Sequence, residues 1–96
     1  MIVLFTEEAA HELTSAAEWY ESASSGLGDD FRREIWNALN LCSEMPDLWA
    51  MLADGSQQMS VHRFPYRIVF LIEKEILNVI AIAHHKQFPD YWKDRI

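Results

Sequence analysis

The chain holds one cysteine, three glycines and three prolines in 96 residues. A single thiol, Cys42, excludes an internal disulfide, and its place in an apolar helical stripe points to a buried thiol in a reducing compartment. Three glycines leave no glycine-rich phosphate loop. Neither G-x-S-x-G nor C-x-x-C occurs, so the common nucleophile and nucleotide motifs are absent. No apolar run approaches the roughly 18 residues of a membrane span. The opening Met1–Phe5 run has no basic flank and is too short for the apolar part of a signal peptide. The expectation is a cytoplasmic protein with no membrane partner.

Positive charge is scarce in one half of the chain. Residues 1–55 carry eleven acidic groups against two basic ones, Arg32 and Arg33, a net of −9; residues 56–96 carry four acidic and six basic groups, a net of +2. The total of −7 argues against direct, general DNA binding, because neutralising phosphates needs a surplus of Lys and Arg. So uneven a distribution suits docking of a basic partner on the acidic side. What is abundant is apolar surface: half of the residues, with four Trp, five Phe and three Tyr. That is ample for one core, and the length allows a single domain over residues 1–96.

The chain is organised around Arg63-Phe64-Pro65-Tyr66-Arg67 and the apolar run Ile68–Ile72 that follows it. Such a run cannot alternate between core and water, so it predicts a strand covered on both faces. Met59–Phe64 reads as the strand before it. Lys74-Glu75 fits a two-residue turn into a third strand over Ile76–Ala83. Ahead of this meander, Ile2–Phe5 reads as a short strand and Thr6 as a helix N-cap. Ala9, Leu13, Ala16, Ala17 and Tyr20 form the stripe of a first helix. Ser24-Ser25-Gly26-Leu27-Gly28 is expected to supply a glycine C-cap and a turn, with Asp29 and Asp30 capping and charging the start of the next helix. That second helix has the stripe Phe31, Ile35, Leu39 and Cys42 and stops before Pro46. Residues 47–58 show an Asp54-Gly55 turn and no assignable element. Pro89 suits the first turn of a short C-terminal helix. The order β-α-α-β-β-β predicts an α+β domain: an antiparallel sheet, the first strand at its edge, and a helical hairpin on one face.

Few residues offer chemistry. Adjacent His84 and His85 point to opposite faces of a strand, and Cys42, His11 and His62 lack ligand spacing, so neither a metal site nor a cofactor is expected. Catalysis would rest on a loose set of groups: His62, Arg63, Arg67, His84, His85, Lys86 and Tyr91. Arg63 and Arg67 either pair with carboxylates or face a site for something anionic or polar. Tyr91 and Trp92, beside Lys93 and Arg95, anchor the C-terminal segment to the sheet or stack a base; the anchoring reading is preferred. Trp19, Trp36 and Trp49 are core residues unless exposed, in which case they are partner anchors.

Trp19-Tyr20-Glu21, Gly26-Leu27-Gly28 with Phe31, Arg63-Phe64-Pro65-Tyr66-Arg67-Ile68, and Ala83-His84 through Pro89-Asp90-Tyr91-Trp92 and Arg95 stand in order over nearly the whole chain. In these motifs the sequence resembles the RelE/ParE superfamily of toxins from bacterial toxin–antitoxin, or plasmid stabilisation, systems. The resemblance implies the same β-α-α-β-β-β fold and one of two activities, poisoning of DNA gyrase or ribosome-dependent cleavage of mRNA. The R-F-P-Y and P-x-Y-W signatures lean towards the ParE branch and gyrase. There Arg63, Arg67, His85, Lys86, Trp92 and Arg95 would contact the target. A RelE-like endoribonuclease would instead use Arg63, Arg67, His84, Lys86 and Tyr91. Gln87 stands where the family usually has arginine, and the chain is acidic where its relatives are usually basic. Both departures weigh against the ribonuclease, and an inactive antitoxin-binding remnant is the third reading. The family also implies a cognate antitoxin. Its basic residues would meet Glu12, Glu18, Glu21 and Glu34, with Trp19 as an apolar anchor.

Overall fold

The computed structural model describes residues 1–96. Thr6 divides the first strand, β1 (Ile2–Phe5), from the first helix, α1 (Glu7–Ala23). Its backbone is extended and its hydroxyl accepts from the Ala9 amide at 3.1 Å, as an N-cap does. The buried stripe of α1 is Ala9, Leu13, Ala16 and Ala17. Small residues let the second helix, α2 (Leu27–Glu44), lie close against it. The approach is tightest at Gly28, where an added Cβ would stand 2.6 Å from the Ala17 carbonyl oxygen.

The turn between the helices differs from expectation. Gly26 (φ 87°) is the N-cap of α2, and α1 ends on Ser24. The carboxylate of Glu21 accepts from the amides of Gly26 and Gly28 at 2.9 and 3.0 Å. A side chain reaching back from α1 therefore caps α2. Asp29 and Asp30 sit in its first turn, where they favour the positive end of the helix. Phe31, Ile35, Leu39 and Cys42 are all buried, and the helix stops at Glu44 ahead of Pro46, as the sequence predicts.

Residues 47–58 are held by polar bonds and by the packing of Trp49 against the core. A 3-10 turn spans Pro46–Leu48, and Gln57 Nε2 donates to the carbonyls of Pro46 and Trp49 at 2.9 and 2.7 Å. Asp54 closes the next turn by accepting from the Ser56 amide and hydroxyl.

The strand β2 is Gln57–Ser60, two residues earlier and shorter than the predicted Met59–Phe64. A tight turn with Arg63 at φ 73° takes up the remainder and leads into β3 (Tyr66–Glu73) and β4 (Ile76–His84). The sheet order is β1-β4-β3-β2. The meander is antiparallel, but β1 pairs with β4 in parallel, Ile2 opposite Ile76 and Phe5 opposite Val79, so the four-stranded sheet is mixed.

The main core lies between the hairpin and the sheet and includes Phe31, Ile35, Leu39, Ile68, Phe70, Leu77 and Ile82. A second, smaller cluster on the other face joins Val69, Ile80, Ala81 and Trp92. It explains why β3 is apolar on both sides. Ile80 is an extra residue, since Val69 pairs with Ala81 and Phe70 with Val79, and this bulge turns two successive side chains toward Trp92. The C-terminal helix is one 3-10 turn at Lys93–Arg95; Pro89 lies ahead of it in an irregular turn and starts no helix.

Candidate functional site

β1 is paired with β4 only as far as Val79, which leaves the next five residues of β4 without a neighbouring strand on that side. An open strand edge exposes hydrogen-bonding groups that must find partners. Here side chains supply them. The Ile80 carbonyl accepts from Thr6 Oγ1 at 3.4 Å and Arg95 Nη1 at 3.1 Å, the Ile82 amide donates to Glu12 Oε1 at 3.0 Å, and the His84 amide donates to Gln87 Oε1 at 2.8 Å.

Glu12 is the centre of this arrangement. Besides the Ile82 amide, its carboxylate takes the Tyr91 hydroxyl at 2.6 Å and both terminal nitrogens of Arg95 at 3.0 and 3.1 Å. The Glu12–Arg95 pair is mostly buried, each side chain 18% exposed. Such a two-pronged guanidinium–carboxylate contact fixes geometry as well as charge. Burial, reinforced by the bond to Glu12, pushes the Tyr91 phenol far above its ordinary range, and the same carboxylate raises Arg95 further. The three side chains tie α1, β4 and the C-terminal segment together.

This geometry divides the residues expected from sequence. Tyr91 and Arg95 are committed to Glu12 and do not project toward a target. Trp92 is 0% exposed and anchors the second core cluster, as the preferred sequence reading has it; the target contact that the resemblance implies for it is corrected, since it presents no surface. Glu12 is likewise spent inside the molecule and does not wait for a basic partner. Glu18 and Glu21 border a notch at the tip of the hairpin with Asp29 and Arg32. Glu34 lies elsewhere, in a notch between α2 and β2 with Met59 and His62. The acidic residues therefore do not form one surface.

Two adjoining turns at the end of β4 gather exposed groups. The His85 amide donates to the Pro65 carbonyl at 2.9 Å, which sets the Arg63 turn beside the His85–Gln87 turn. Arg63, His85 and Lys86 are exposed there. Arg63 lies 5.5 Å from the Phe64 ring and 3.6 Å from Asp30 in a solvent-exposed pair. A non-glycine residue in the left-handed region is uncommon and costs strain, which marks this turn as specialised. Arg67, next along β3, is half-buried, and its Nε has no protein partner.

His84 belongs to an adjoining groove of about 310 Å³ between α1 and the end of the sheet. Glu12, Ala16 and Trp19 line it from α1, and Tyr66, His84 and Gln87 from the other side. The Tyr66 and His84 rings meet edge-on, 5.0 Å apart, and His84 Nδ1 accepts from the Lys86 amide at 3.0 Å, so the ring proton sits on Nε2. Burial raises the Tyr66 phenol, with smaller contributions from Tyr20 and Glu12. Tyr66, Thr6 and Gln87 were not singled out from sequence as site residues. The sequence shows Thr6 as a cap, Tyr66 within the R-F-P-Y signature and Gln87 as a departure from the family, but not that they meet the edge of β4 or line one groove with α1.

The family described as "ParE toxin of type II toxin-antitoxin system, parDE" matches residues 3–89. The chain belongs to the ParE toxin family. No curated protein sequence matches it. Among solved structures, the fold resembles a chain of the "Chromosomal ParDE TA system from P. aeruginosa", with a TM-score of 0.60 at 12% identity over 88% of this chain and 95% of that one. The ParE match ends at Pro89, so the Tyr91, Trp92 and Arg95 anchors lie just beyond it. No helix in this ParE-family chain is long and apolar enough to cross a membrane.

Proposed function

We propose that this chain is the toxin of a cytoplasmic type II toxin–antitoxin pair, that it inhibits DNA gyrase by binding, without covalent chemistry or a cofactor, and that a cognate antitoxin neutralises it. A plasmid-stabilisation role accords with this reading. The observation that carries it, beside the family, is the withdrawal of Tyr91 and Arg95 from the exposed cations. A general acid must be free to reach the reacting atom. Tyr91 is instead bound to Glu12 through its hydroxyl, and Arg95 is neutralised by the same carboxylate. What remains exposed around two adjoining turns is Arg63, His85 and Lys86; Arg63 and Lys86 bind and orient, and with Tyr91 withdrawn the proton-transfer candidates left are imidazoles.

Supercoiling of relaxed plasmid by purified gyrase, with and without the protein, tests this. Lost supercoiling or a trapped cleavage complex is the expected result, weakened by the joint change Arg63→Ala and Lys86→Ala. Undiminished supercoiling together with new cuts in translated message, seen by primer extension, would replace the reading with an endoribonuclease. Unaffected growth on expression without antitoxin would leave an inactive binding remnant.

A further inference from the structure

Trp19 is 66% exposed, although it sits on the i, i+3, i+4, i+7 face of α1 that also carries Glu12, Ser15 and Ala16 into the groove beside His84. A tryptophan so exposed loses the burial that usually retains one. Its indole is held edge-on to Tyr20 at 5.2 Å, and the aromatic series continues from Tyr20 to Tyr66 at 6.3 Å and from Tyr66 to His84 at 5.0 Å. The groove is thus walled by aromatic rings at both ends, with Ala16 and Ile82 between them.

The helical wall of the groove carries charge of one sign, while on the other wall the exposed Lys86 stands between His84 and Gln87. Helix α1 contains five glutamates and no lysine or arginine. Glu12 is consumed by Arg95 and Tyr91, so it cannot pair with a ligand, but Glu18 next to Trp19 is exposed. The nearest backbone groups are also satisfied, with the Ile82 and His84 amides already donating to Glu12 and Gln87. An anion would find donors in the Tyr66 hydroxyl and the His84 Nε2–H on one wall but meet the glutamates of α1 on the other. A neutral apolar side chain would ignore the field. A flat cation gains from both, since guanidinium groups stack on aromatic faces and are only weakly hydrated.

The geometry points to this groove as the seat of an arginine side chain from the antitoxin, the guanidinium lying on Trp19 and facing the Tyr66–His84 pair. It deepens the antitoxin reading above and rests on it. The acidic half speeds the encounter, and the groove chooses the residue that anchors it.

Two measurements separate the groove from that reading. First, N-acetyl-arginine amide is titrated into the full chain while the Trp19 indole N–H resonance is followed, assigned by its loss in Trp19→Ala. N-acetyl-citrulline amide, similar in shape and uncharged, is the control. The arginine compound shifts the resonance and the citrulline compound does not; equal shifts overturn the proposal. Second, the small protein encoded beside the toxin gene is titrated against wild type, Trp19→Ala and Trp19→Phe, with each of its arginines changed in turn to glutamine. One such change is expected to weaken binding about tenfold to wild type and Trp19→Phe and to have little further effect on Trp19→Ala, the size of a partly desolvated cation–π contact. If every arginine change adds independently to Trp19→Ala, the groove proposal is overturned and the antitoxin reading stands. A neighbouring protein that does not bind, while the arginine compound still shifts Trp19, overturns the antitoxin reading and supports the cation groove. If Trp19→Ala no longer inhibits gyrase yet holds the antitoxin unchanged, the groove belongs to gyrase and the proposal is overturned.

Discussion

The Tyr91 hydroxyl donates to Glu12 Oε2 at 2.6 Å across 79 positions of sequence, in a cluster that also fixes Arg95 and the open edge of β4. Removing one member of a buried ion pair leaves the other uncompensated and costs about 3 kcal/mol or more. Glu12→Ala should therefore destabilise the fold by about 3 kcal/mol, because it orphans a guanidinium, a phenol and a backbone amide together. Glu12→Gln keeps an acceptor for Tyr91 and should cost less. Urea midpoints for the two variants check this ordering, and a Glu12→Ala midpoint equal to wild type would mean that the cluster adds nothing to stability.

At Gly28 two effects oppose each other. Alanine is the better helix former by about 1 kcal/mol. The added methyl, however, would stand 2.6 Å from the Ala17 carbonyl oxygen, which is backbone and cannot swing aside. Overpacking of this kind costs about 1–3 kcal/mol, so Gly28→Ala should lower the melting temperature despite its propensity gain. A rise would show that the helices separate freely.

Trp92 is wholly buried, yet its indole nitrogen has no protein acceptor. Trp92→Ala opens a cavity under the C-terminal segment and should cost about 3–5 kcal/mol. Trp92→Phe fills most of that space and deletes the unpartnered donor, so its cost should be under about 1.5 kcal/mol. Chemical denaturation of the pair tests the argument; equal losses would give the indole N–H a role that the fold does not display.

The elements that could be read from sequence are those whose cause is local. Phe31, Ile35, Leu39 and Cys42 recur at helical spacing, and the helix they predict is present and stops ahead of Pro46. The apolar run in β3 is covered on both faces, as its composition demands. The errors share a different origin. Glu12 has the ordinary pattern of a solvated helix residue, and only the arrival of residues 91 and 95 turns it inward. Arg95 reads as a target contact for the same reason, whereas the preferred anchoring of Trp92 holds, with the segment folded back over Val69 and Ile80. Glu21 capping α2 and the parallel direction of β1 against β4 are likewise tertiary outcomes. Pro89 met the local rule for a helix start, but the chain turns away there to bring Trp92 down onto the sheet.

Burial of Cys42 pushes its thiol up to about 12, and burial also raises Tyr20, Tyr66 and Tyr91. In the unfolded chain these groups titrate near about 8.5 for cysteine and about 10 for tyrosine. As pH rises the unfolded chain releases its protons first, so the stability linked to these groups is complete below about pH 8 and is lost as pH climbs through the folded values. The melting temperature should accordingly hold level between about pH 6 and 8 and fall from about pH 9 upward. Cys42→Ala should remove the earliest part of that fall and Tyr91→Phe a later part, each against a lower starting stability. The native thiol, whose Sγ lies 3.2 Å from Met59 Sδ, should also resist an aromatic disulfide reagent at about pH 8 and react once urea unfolds the chain, because only the thiolate attacks. Circular dichroism melts across the pH series and thiol titration with and without urea make the test; a melting temperature unchanged up to about pH 11, or a native thiol as reactive as the denatured one, would show that Cys42 and the tyrosines are not shielded as the fold requires.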